Sequence, residues 1–75
     1  MRSERASLWV AVHGHKHGSD AYLFWFDGEA MDEEAEERVV KQLDINYEPD
    51  LAESLNCHQV NIGREIHVDN LPVVT

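Results

Sequence analysis

The sequence predicts a small single α+β domain, in which an antiparallel β-hairpin packs against an acidic helix, followed by a short second helix and a further strand or hairpin. Three patterns carry this expectation. Two short runs rich in aromatic and β-branched residues, SLWVAVH from Ser7 and AYLFWF from Ala21, flank a polar stretch holding two glycines. Met31, Ala35, Val39, Val40 and Leu43 recur at helical spacing behind a run of acids. Val60, Ile62, Ile66 and Val68 alternate with polar residues around Gly63. The 75 residues span one domain, near the lower limit for folding on a single core. Residues 1–6 and 71–75 are expected to fray.

Each element has its own signal. In the first strand Leu8, Val10 and Val12 share one face, and Trp9 and Ala11 share the other. In the second, Tyr22, Phe24 and Phe26 oppose Ala21, Leu23 and Trp25. A hairpin apolar on both faces needs cover on both, or a partner. Asp27-Gly28 closes the second strand. The helix begins between Glu29 and Asp32 and runs to about Leu43, with acids loading its first turns and Arg38 and Lys41 towards its end, as the helix dipole favours. Pro49 suits the first turn of a short helix, with Leu51, Ala52 and Leu55 inward and Asn56 at its end. The Val60–Val68 alternation reads as a hairpin turning at Gly63-Arg64, or as one strand bent by a bulge there.

The stretch HGHKHGSD, from His13 to Asp20, admits three readings. In extended backbone His13, His15 and His17 would face one way and could hold zinc, with His58, His67, Cys57 or Asp20 as a further ligand. No cysteine pair or second ligand cluster supports that reading, and two glycines favour a turn over extension. A catalytic reading fails on pattern: Gly14 and Lys16 stand where histidine-triad enzymes carry apolar residues, and His17-Gly18 interrupts a metallo-hydrolase motif. The reading preferred is a hairpin turn. Gly14 and Gly18 would supply positive φ, and Asp20 would accept a hydrogen bond from His17 or a loop amide, so that His15, His17, Gly18 and Asp20 are structural.

Charge bounds function more tightly. Fifteen acids oppose six bases, for a formal charge of −9. Ten of those acids lie in residues 29–53 (Glu29, Asp32, Glu33, Glu34, Glu36, Glu37, Asp44, Glu48, Asp50 and Glu53), against only Arg38 and Lys41. Direct contact with a nucleic-acid backbone or an anionic membrane is therefore disfavoured, and a basic protein surface is the natural complement. The single cysteine, Cys57, has no partner for an intrachain disulfide, which fits a cytoplasmic setting. The apolar run near the N-terminus is too short for a secretion signal, and no stretch approaches the ~20 apolar residues a membrane helix needs.

The string HKHGSD at residues 15–20, continued by AYLF, resembles small proteins of phages and plasmids in which a strand, an H-x-H-G-x-D turn, a second strand and an acidic helix follow in order. The resemblance covers the motif at 15–24 and the organisation of residues 1–43. It implies a mobile-element setting, and there small acidic proteins resemble inhibitors, anti-CRISPR proteins among them, that occupy nucleic-acid-binding surfaces of host defence complexes. The expectation is a non-enzymatic binding protein with no cofactor and no metal, which meets its partner through Glu29, Asp32, Glu33, Glu34, Glu36 and Glu37. The alternatives are a metal-binding protein using His13, His15 and His17, or a dimerising accessory subunit that associates through Trp9 or Trp25.

Overall fold

The computed structural model describes residues 5–61 and 70–75. The expected turn at Gly63-Arg64, with Ile62, Ile66, His67 and Val68, lies outside them. Among the described residues four strands form one sheet: β1 (Ser7–His15), β2 (Gly18–Phe26), β3 (Ser54–Gln59) and β4 (Val73–Val74), in the order β3-β1-β2-β4. β1 is central, antiparallel to both β2 and β3, and β4 joins β2 in parallel. The helix α1 (Glu33–Gln42) lies between β2 and β3 in sequence. The architecture is α+β, as the two strand runs and the helical stripe predict. No helix among the described residues is long and apolar enough to cross a membrane.

The helix starts where its chemistry says it should. The Asp32 carboxylate accepts from the Ala35 amide at 2.8 Å, satisfying one of the N–H groups left open at a helix N-terminus. Its end is a Schellman arrangement: Leu43 N–H donates to Val39, Ile45 N–H donates to Val40, and Asp44 between them takes φ 54. Ala35 and Val39 are buried. With Trp9, Ala11, Phe24, Phe26, Ile45 and Val74 they form the main core on one face of the sheet. Trp9 and Phe26 meet edge to face, with ring centroids 6.0 Å apart.

The opposite face is unequal along its length. Leu8 and Trp25 sit directly across from each other and are both buried. Val10 and Val12 are half-buried, and Leu23 is 42% exposed. Both tryptophans are thus inside, at 6% and 4% exposure.

Three sequence expectations are corrected. The short second helix is a single 3-10 turn, Pro49–Leu51. Leu51 is 66% exposed, and the chain is back in a strand by Ser54, so Asn56 lies within β3. The reason is local: Ala52 adopts φ 59, which ends the turn and swings Glu53 back towards the sheet. The loose tail over 71–75 is instead tied down. Val74 is fully buried, and the Gln42 side-chain amide both donates to the Thr75 carbonyl and accepts from its N–H, each at 3.1 Å. Gly14 makes no turn, because it lies in β1, where a Cβ would meet the Ser54 hydroxyl of β3.

Asp44 carries a left-handed φ that costs a residue with a Cβ about 1 kcal/mol, and its charge faces the negative end of the helix dipole. Asp44→Gly should raise stability by about 0.5–1 kcal/mol and the melting temperature by a few degrees. Asp44→Ala removes the charge but keeps the strain and should gain less; thermal denaturation of the two variants separates the contributions.

Candidate functional site

The histidine stretch extends further than its glycines suggest. β1 continues through His15, and only Lys16 and His17 turn, with the backbone reversal taken up at Gly18, φ 137. His13 and His15 consequently share the helix-side face of the sheet, beyond Trp9 and Ala11, with ring centroids 5.3 Å apart. Asp20 faces the same way, opposite His13 in the register.

Each of these two rings is engaged. His13, 5% exposed, donates from Nε2 to Glu53 Oε1 at 2.7 Å, and its ring meets Tyr47 edge to face at 5.9 Å. The same Glu53 oxygen accepts the Glu48 amide at 2.9 Å. The two hydrogen bonds hold the Glu53 carboxyl below the ordinary glutamate range, the backbone amide being the larger cause and His13 the next. His15 Nδ1 accepts the His17 amide at 3.2 Å, which places the ring proton on Nε2, where it donates to Asp20 at 3.0 Å. Asp20 thus accepts from His15 rather than from His17 or a loop amide. Neither His15 nitrogen keeps a lone pair for a metal or for general-base work while these bonds hold. Among the described residues no group of three or more histidine, cysteine, aspartate or glutamate side chains is placed to hold a metal ion. The cluster lines a cleft of about 410 Å³ together with Tyr22, Asn46 and Leu51.

A second concavity, about 650 Å³, runs between α1 and the segment that leads into β3. Glu33, Glu36, Glu37 and Lys41 line its helix side, and Val40, Tyr47, Pro49 and Leu55 give it an apolar floor. Positions 33, 36, 37, 40 and 41 form one helical face, which explains why these acids gather there. Beneath that side lies Cys57, whose thiol is pushed up to about 11, first by burial and then by the Glu36 carboxylate. It stays protonated at neutral pH and is a poor nucleophile.

Compared with protein-family models, curated proteins and solved structures, the chain matches none. What the protein does therefore has to follow from its own surfaces.

The six acids expected to meet a partner do not form one set. Glu33, Glu36 and Glu37 line the groove, with Glu36 half-buried. Asp32 is occupied as the helix cap. Glu34 lies on the helix flank beside Arg38, its oxygen 4.0 Å from the guanidinium. Glu29 precedes the helix and lines a separate hollow with Arg5, Asp27 and Gln59. Glu53, Tyr47 and Leu55 were missed as site residues by the sequence reading. Glu53 had a usable signal, a carboxylate just before an alternating run. Its pairing with His13 spans 40 positions and shows only when β3 docks on β1.

Two measurements follow from these contacts. A carboxyl whose folded pKa is lowered contributes stability above its unfolded pKa, near 4.3, and loses it as pH falls through the folded value. Glu53→Gln keeps an acceptor oxygen but cannot ionise, so wild type should melt higher at neutral pH, and the gap should close as pH drops below about 4.5. A gap that persists unchanged to low pH would show that Glu53 acts by shape alone. Cys57, in turn, should react with a disulfide reagent at pH 8 far more slowly in the folded protein than in denaturant. Equal rates would mean that the thiol is neither buried nor raised.

Proposed function

We propose that the chain is a non-enzymatic binding protein whose anionic helix face docks onto a basic, nucleic-acid-binding surface of a protein partner. The observation that carries this reading is the state of the helix acids. Glu33, Glu34 and Glu37 are exposed, and the salt bridge among described residues that involves them is one loose contact, Glu34 with Arg38 at 4.0 Å. Arg38 itself has its Nε buried without an acceptor among the described residues. Among the described residues the charge is thus displayed rather than neutralised. Such a surface meets arginine and lysine side chains shaped for phosphate, gains association rate from long-range attraction, and repels nucleic acid itself.

The resemblance of residues 15–24 to phage and plasmid proteins makes host defence complexes such as CRISPR effectors the first partners to test, in a cytoplasmic setting. Support for a binding role over an enzymatic one comes from the groups that catalysis would need. His15 has both nitrogens occupied, and Cys57 holds its proton. A self-associating form would use the half-exposed strip of Val10, Val12 and Leu23 instead.

The test separates a binding face from a solvated one. Reversing Glu33 and Glu37 to lysine should leave the melting temperature almost unchanged, since exposed substitutions typically cost within about 0.5 kcal/mol. Partner proteins retained by the immobilised wild-type chain should be lost from this variant, released by rising salt, and displaced by added RNA or DNA. Retention that ignores all three would make the acidic face inert.

A further inference from the structure

We propose that the groove between α1 and residues 47–55 is a socket for one arginine side chain, presented by an exposed basic segment of the partner. The proposal rests on the anionic docking face above and names the group that face recognises.

The groove is built for a side chain with an apolar stem and a cationic head. Val40, Pro49 and Leu55 offer methyl and ring carbons along its floor, where the methylenes of a long side chain can lie out of water. Glu33, Glu36 and Glu37, at i, i+3 and i+4, stand along one wall. None of the three takes part in an ion pair among the described residues, so no cation from those residues has to be displaced. Lys41 lies at the C-terminal end of the same wall and repels a cation there, directing the head group towards the glutamates. The volume, about 650 Å³, falls within the roughly 300–1,000 Å³ typical of ligand clefts.

Tyr47 decides between arginine and lysine. Its ring is held edge-on to His13, and its backbone N–H is bonded to the Ile45 carbonyl at 2.9 Å, so the floor carries a fixed aromatic surface. A guanidinium is planar and weakly hydrated, stacks on such a surface, and offers its N–H fork to carboxylates in pairs. An ammonium keeps its hydration and gains only the charge attraction. A divalent cation is a poor occupant, because the three glutamates are not grouped as a metal-holding set.

The experiment compares labelled oligo-arginine and oligo-lysine peptides of equal length, titrated into the full chain at moderate salt. Oligo-arginine should bind roughly tenfold tighter. Its addition should shift the methyl NMR signals of Val40 and Leu55. Tyr47→Leu, which keeps apolar bulk, should bring the two affinities together, whereas Asp27→Lys, outside the groove, should leave their ratio unchanged. Equal affinities for the two peptides in the wild-type chain overturn the socket while leaving the anionic docking reading standing. Shifts confined to residues outside the groove do the same. If neither peptide binds, both readings are overturned. The wild-type ratio and the methyl map decide the matter even if Tyr47→Leu folds poorly.

Discussion

A ten-residue helix cannot cover a hairpin of two nine-residue strands, and most of the molecule follows from that mismatch. α1 spans about 15 Å, whereas β1 runs about 30 Å. The sheet face is accordingly divided. Trp9, Ala11, Phe24 and Phe26 occupy the end that joins the helix in an apolar core. His13, His15, Asp20 and Tyr22 occupy the end towards the turn, where apolar residues would have been left facing water. A histidine pair answered by carboxylates can be half-covered at little cost, because its polar atoms are bonded to protein. The connecting segment supplies the partial cover, and two left-handed residues, Asp44 and Ala52, set its path.

The same geometry sorts the acids. A helix in contact with the sheet through Ala35 and Val39 must turn the face at 33, 36, 37 and 41 towards the connecting segment. Because that segment brings Tyr47, Pro49 and Leu55 alongside, the acids border apolar surface instead of open solvent. Charge beside an apolar floor is a more selective surface than charge alone, since it rewards a partner group that is both long and cationic.

The parts of this arrangement visible in the sequence are those set by local rules. Strand alternation paired Trp9 with Ala11 and Phe24 with Phe26, and the acids ahead of the apolar stripe bracketed the helix start between Glu29 and Asp32. The failures share a cause. Leu51 and Ala52 look like an inward helical pair after Pro49, but a left-handed φ at Ala52 is a tertiary choice that propensity opposes. Gly14 looks like a turn residue, yet its missing side chain makes room for Ser54 on a strand forty positions away. Val73 and Val74 look like a loose end because nothing local shows that β2 has an edge for them to join. The groove was illegible for the same reason, as its two walls are separate in sequence and meet only through the fold.

The histidine cluster and the acidic groove, which the sequence presents as unrelated, are joined in the structure by one ring. Tyr47 lines the groove and packs edge-on against His13, and His13 is fixed in turn by Glu53, whose carboxylate also closes the loop onto the Glu48 amide. The His13–Glu53 bond is thus one of several contacts, with the Glu48 and Tyr47 amide bonds, that fix the loop carrying Tyr47 and Pro49 beside the helix. The buried imidazole supports the loop beside the acidic helix through Tyr47 and Glu53. That gives a physical role to a polar group which a core of this size would otherwise have little reason to bury.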